Sequence, residues 1–247
     1  LFDLVRPLAF AYHALPMNAL RRHYGMPSLG PDLRRIYTDA DLALFSDLPE
    51  VYGMADDLTH SGTFLGPINW SPDIPLPDWW NELDESQPIV YVTLGSSGAN
   101  ELLFPLLDGL RQLNAQLVVS SAGGPLPTLE GQIFCADYLP GDAATARADL
   151  VVCNGGSPTS YQALTRGVPV LGIPGNLDQY LNMHFLEKAG VGLSLRGQNL
   201  KPMKVAAAAG KLLGDVGYRS AARQLAKRAV GYDCRARLNT ALEELLA

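Results

Sequence analysis

"VVCNGGSPTSYQALTRGVPVLGIPGNLDQYLN", residues 151–182, decides how the rest of the chain is read. Val151 and Val152 end a run of apolar residues of the kind buried on both faces of a parallel sheet. Gly155 and Gly156 then let the backbone turn tightly and approach a ligand without a Cβ in the way. Ser157 is a good N-cap and Pro158 a good first helical residue, so a helix should begin there. Its unpaired N–H groups and the positive end of its dipole suit a phosphate. Thr159 and Ser160 would add hydroxyl donors in the first turn. After the next strand, "VPVLGIP", comes Asp178-Gln179, a carboxylate and an amide able to match the alternating hydroxyls of a sugar. Each piece also has a plain reading, a tight strand-to-helix turn and a polar helix start, and only their order makes a pattern.

Working outward, "PIVYVTLG" is another apolar, β-branched run, followed by "ANELLFPLLDGLRQL", in which Leu102, Leu103, Leu106, Leu107 and Leu110 share a helical face. Short apolar runs recur at "AQLVVSS", "GQIFCADYL", "DLVVCN" and "GVGLSL". This alternation predicts an α/β fold: a doubly wound, Rossmann-like parallel sheet with the strands at 89–94 and 150–153 in its centre. The tail, residues 201–247, reads as helices broken near Gly214 to Gly217 and Gly231 to Asp233.

Upstream, "NWSPDIPLPDWWNELDESQP" holds four prolines and all three tryptophans, Trp70, Trp79 and Trp80. It reads as a stiff linker pinned by those rings. Before it, helices near Leu4 to Tyr24 and Pro31 to Thr38 and strands within "DLALFSD" and "GTFLGPI" look like the end of a further, partial α/β domain. The expected division is residues 1–68, 69–87 (linker) and 88–247.

The 247 residues are 47% hydrophobic, enough for a substantial core, and carry 19 basic and 25 acidic residues for a net charge of −6. With no basic stripe, nucleic acid is not an expected partner. Three scattered cysteines and four histidines without ligand spacing support neither a disulfide framework nor a metal site, and a cytoplasmic setting is expected, with membrane association left open. "LGSSGANE" places Gly95, Ser96, Ser97 and Gly98 in a second turn that could donate to the same phosphates. Neither turn is a Walker A or GxGxxG motif, which disfavours an ATP or dinucleotide enzyme.

Taken together, "CNGGSPTSYQALTRGVPVLGIPGNLDQ", the "TLGSS" turn and the "ADYLP" segment resemble the donor-binding half of GT-B glycosyltransferases of the UDP-glycosyltransferase superfamily. The resemblance implies a donor site in which Tyr138, Leu139 and Pro140 border the base. Gly155, Gly156, Ser157 and Thr159, with Gly95, Ser96 and Ser97, would hold the diphosphate. Asp178 and Gln179 would read the sugar. Where the family block opens with His this chain has Asn154, which can donate to a phosphate oxygen but carries no positive charge. Gln162 stands where many relatives place a ribose-binding Glu.

The implied reaction is inverting, metal-independent transfer of a sugar from a UDP- or dTDP-linked donor to a small or lipophilic acceptor, with no cofactor beyond the donor. The family's catalytic His lies in an early loop that this chain would start after; none of His13, His23 or His60 lies in a comparable turn. The base is therefore expected on a missing N-terminal segment or a partner chain. The alternatives are a nucleotide-sugar-binding, non-catalytic module and, last, a GT-B sugar-nucleotide epimerase, which would need a pair of acid/base carboxylates that the sequence does not offer.

Overall fold

The computed structural model describes residues 2–52, 62–95, 99–124 and 132–247. Ser96, Ser97, Gly98 and His60 lie outside the described residues.

Six parallel strands form the main sheet: β3 (Ile89–Thr93), β4 (Gln116–Ser120), β5 (Ile133–Ala136), β6 (Leu150–Cys153), β7 (Val170–Gly172) and β8 (Gly192–Ser194). A small parallel pair, β1 (Leu44–Phe45) and β2 (Thr63–Phe64), precedes it. The order in the main sheet is β5-β4-β3-β6-β7-β8. From β3 the chain steps outward to β5, crosses back to β6 beside β3, and steps outward the other way to β8. Both expected central strands are central, as runs with no polar face require. The β3/β6 boundary is the point where the winding reverses, and the crevice outside the strand ends there is where such sheets bind ligands.

Alternation along the strands supplies two cores. Tyr91, Val118, Val151, Cys153 and Val170 face one side; there they meet α4 (Gly141–Arg147), α5 (Ser157–Thr165), α6 (Leu177–Lys188) and α8 (Val216–Ala229). Val90, Val92, Leu117, Val119, Val152 and Leu171 face the other, against α3 (Leu103–Leu110) and α7 (Pro202–Gly214). Leu103, Leu106, Leu107 and Leu110 form the buried stripe of α3, while Leu102 is only partly buried. The tail breaks where expected, giving α7, α8 and α9 (Cys234–Leu246).

The N-terminal part has α1 (Phe2–His23), containing both His13 and His23, and α2 (Pro49–Tyr52). The second expected helix is a five-residue 3-10 turn, Leu33–Tyr37, capped by the Asp32 side chain on the N–H of Arg34. Asn18 ties α1 to the loop before that turn: its amide donates to the Gly30 carbonyl (2.8 Å) and accepts from the Leu29 N–H (2.8 Å). Leu48 and Val51 join the core of the main sheet, and the Leu48 N–H donates to the Tyr161 hydroxyl at 3.2 Å.

Only two of the three tryptophans pin the proline-rich segment. The Trp79 indole donates to the Cys135 carbonyl (3.1 Å), and Trp80 is buried beneath Arg147, whose guanidinium lies 5.4 Å from the ring and donates to the Trp80 carbonyl at 2.7 Å. Trp70 is 76% exposed. Its carbonyl, not its ring, is engaged.

Candidate donor site

The turn after β6 is built around one left-handed glycine. Gly155 has φ +79°, and the side-chain oxygen of Asn154 accepts from the Gly156 N–H at 2.9 Å. The helix cap is Gly156, in an extended conformation, and not Ser157 as expected. The Asn154 side chain holds the Gly156 N–H in the turn, and the helix starts one residue earlier, with Ser157 as its first residue. As a glycine, Gly156 makes no side-chain cap bond, and the N-terminus of α5 opens at the crevice end of the sheet.

Ser157 and Thr159 are partly exposed there. Ser160 corrects an expectation: it is fully buried, and its hydroxyl turns back to the Gly156 carbonyl at 2.8 Å. A first-turn serine can satisfy itself on the preceding turn of its own helix, and this one does.

Gly95, with φ +64°, closes the opposite wall. A Cβ placed on it would stand 3.4 Å from the Asn154 amide nitrogen, so the turns after β3 and β6 meet at that amide. Beneath them the Cys153 thiol is wholly buried, and desolvation pushes its pKa up to about 12. It stays neutral and is no nucleophile.

Of the residues expected to border the base, Tyr138 is 58% exposed. Leu139 and Pro140 are buried, Pro140 as the residue preceding α4. Gln162, expected at the ribose, donates its amide N–H to the Trp70 carbonyl at 2.6 Å. It lines a cavity of about 370 Å³ with Ser71, Asp142, Thr165 and Arg166.

The Asp178-Gln179 pair divides its work. Asn176 caps α6 by accepting from the Gln179 N–H at 3.0 Å. Asp178, in the first turn, is exposed. Gln179 is buried, and its side-chain oxygen accepts from the Gly175 N–H at 2.8 Å. The carboxylate faces outward and the glutamine shapes the loop beneath it.

Two groups of residues were missed in the sequence. The Tyr52 hydroxyl donates to Asp47 at 3.1 Å. Burial, and then the charge of Asp47 and more weakly of Asp178, hold its pKa above the usual phenol value, which places Asp178 within electrostatic range of this pair. Nothing in "SDLPEVY" signals that approach. A cleft of about 720 Å³ opens past the ends of β7 and β8, bordered by Glu101, Pro174, Tyr180, Arg196 and Gln198. Its residues lie far apart in the chain and share no motif.

Among the described residues, no helix is long and apolar enough to cross a membrane.

Residues 105–245, more than half of the chain, match the family model described as erythromycin biosynthesis protein CIII-like, C-terminal domain. A PGL/p-HBAD biosynthesis glycosyltransferase of Mycobacterium tuberculosis is 48% identical over 92% of this chain and 53% of its own length. A PGL/p-HBAD biosynthesis rhamnosyltransferase of Mycobacterium bovis is 47% identical over 92% of this chain and 50% of its own. An inactive PGL/p-HBAD biosynthesis glycosyltransferase of M. bovis is 48% identical over 44% of this chain and 30% of its own. Among solved structures, the glycosyltransferase of kitacinnamycin superposes with a TM-score of 0.78 at 21% identity, covering 96% of this chain and 62% of that one. The spinosyn rhamnosyltransferase SpnG complexed with thymidine diphosphate gives 0.75 at 23%, covering 92% and 60%. The chain spans about half the length of these curated relatives. With its six-stranded parallel sheet and its matched C-terminal region, the chain belongs to the erythromycin biosynthesis protein CIII-like C-terminal domain family of GT-B glycosyltransferases.

Proposed function

We propose that this chain supplies the donor half of a glycosyltransferase that moves a sugar from a pyrimidine nucleoside diphosphate to a small or lipophilic acceptor. The observation that carries the reading is the glycine-capped N-terminus of α5 behind the Asn154-Gly155-Gly156 turn, at the point where the sheet reverses its winding. The diphosphate lies against that turn, the base against Tyr138, and the sugar against Asp178.

The reaction is inverting and needs no metal: a base removes the acceptor hydroxyl proton, the oxygen attacks the anomeric carbon in line, and the diphosphate leaves. The first-turn N–H groups of α5, the hydroxyls of Ser157 and Thr159, and the helix dipole stabilise the leaving charge. Asn154 contributes a neutral amide where His would bring a positive charge. The base belongs to the half of the relatives that this chain does not span. Because the relatives include a rhamnosyltransferase, a deoxyhexose donor is the one to try first, and the SpnG complex makes dTDP the first nucleotide.

Titration calorimetry with UDP and dTDP tests the reading. Binding of either supports it, and no heat with either in a folded sample removes it. A non-catalytic donor-binding module is the second reading, favoured by the inactive relative. It predicts the same binding but no sugar transfer in any combination with an N-terminal half.

A further inference from the structure

Asn182, one turn into α6, reaches across to the turn after β6. Its side-chain amide donates to the Gly155 carbonyl at 2.7 Å and to the Ser160 hydroxyl at 2.9 Å. The residue is 6% exposed, and its own carbonyl oxygen is buried with no hydrogen-bond partner. A buried acceptor left unpaired is destabilising. Turning the amide over would not relieve it, because an oxygen would then face the Gly155 carbonyl. The orientation is imposed by the two donations.

The approach that permits them is built into the glycines. A Cβ on Gly155 would lie 2.6 Å from Met183 Cγ, and Gly172 and Gly192 border the same fully buried side chain. Met183 sits in a notch that only glycines leave, so α6 lies low enough on the sheet for its neighbour Asn182 to touch the turn.

The consequence follows from peptide geometry. In a planar trans unit the C=O and N–H point in opposite directions. With the Gly155 oxygen held inward by Asn182, the Gly156 N–H points the other way and donates to the Asn154 side-chain oxygen, which fixes that side chain at the turn. Glycine in the left-handed region gives this peptide little resistance to turning over. Once turned, it would present a carbonyl oxygen to the diphosphate.

We propose that Asn182 is a positioning residue for the donor: it holds the Gly155–Gly156 peptide with its N–H on the Asn154 side chain and its carbonyl away from the phosphates, and keys the phosphate turn to the helix that carries Asp178. The inference rests on the donor-site reading above, and the experiment separates the two. Calorimetry with UDP and dTDP is run on the unsubstituted chain, on N182A and on N182D, with the ligand-free unfolding midpoint of each. N182A should lose about tenfold in affinity for the free diphosphate, the size of one good hydrogen bond. N182D keeps the shape but, ionised, cannot donate. Its affinity relative to the unsubstituted chain should rise as pH falls and the carboxyl regains a proton to donate. A role in packing alone gives no such pH-dependent recovery at constant fold. A folded N182A with unchanged diphosphate affinity overturns the proposal. If N182A does not fold, the pH dependence of N182D decides, and a flat ratio overturns it. If the unsubstituted chain binds neither nucleotide, the donor-site reading falls and the proposal with it.

Discussion

On the proposed function Asp178 and Gly155 serve opposite ends of the same ligand, and substituting each has a separable outcome. Asp178 is exposed in the first turn of α6, with Asn176 already serving as the cap. Its carboxylate is thus not needed to start the helix. D178A should weaken binding of the intact nucleotide sugar by about tenfold to a hundredfold, the worth of a charged hydrogen bond, and leave the free diphosphate nearly unaffected. Equal losses for both ligands would assign Asp178 a structural role. Gly155 is different, because it carries φ +79° and a Cβ there would press on Met183. G155A should cost about 2–4 kcal/mol of stability, from left-handed strain and overpacking. A thermal midpoint lower by roughly 5–15 °C would show it, and an unchanged midpoint would mean the turn can adopt another conformation. Both residues could be picked out in the sequence from type and place alone. Asn182 could be seen only as a polar neighbour of the Asp-Gln pair, since its partner Gly155 is 27 positions away. Ser160 was misread for a related reason: a serine's choice between ligand and its own helix is settled by the packing of α6 above it.

At the scale of elements, what was legible followed period and composition. β3 and β6 are apolar on both faces and are central; the leucine stripe of α3 is buried; the tail breaks at its glycines. What failed depended on contacts between elements. The segment at residues 31–38 has helical composition but makes only a 3-10 turn, since its Arg34 and Arg35 are spent on Asp32 and on the Leu29 carbonyl. Trp70 shares the aromatic character of Trp79 and Trp80 but lies over no apolar surface. The clearest prediction here concerns the start of α6. Asn176 accepts from the Gln179 N–H while Gln179 accepts from the Gly175 N–H, so one cap and one side chain hold the whole loop after β7. N176A should cost about 1 kcal/mol, a midpoint lower by roughly 2–4 °C. It should also weaken nucleotide-sugar binding more than diphosphate binding, because the loop it frees carries Asp178 and not the phosphate turn. A loss confined to the free diphosphate would contradict this arrangement.

For the whole molecule the question is what completes the crevice. On α1, Leu4, Leu8, Tyr12 and Leu15 fall at spacings of four, four and three residues, one helical face, and are between 59% and 80% exposed. The β1–β2 pair has two residues in each strand, far short of a parallel sheet that could stand by itself. The relatives carry about as much again of chain as is matched here. An N-terminal α/β unit laid on α1 and extending β1–β2 would bury that face and set its strand ends opposite Asp178. Tyr52, which follows β1 and sets its ring 4.8 Å from that of Phe185 on α6, gives the direction. The 247-residue chain alone should therefore bind donor without transferring sugar. A missing general base typically costs about 10²–10⁴ in rate, and the absent acceptor pocket removes positioning as well. Supplying the N-terminal half of a relative, fused or as a separate chain, should restore release of nucleoside diphosphate in the presence of phenolic or lipid acceptors. It should also protect the backbone amides of α1 from hydrogen exchange. Protection without turnover would favour the non-catalytic module, whereas robust turnover by the 247-residue chain alone would place the base within it, among His13, His23 and His60.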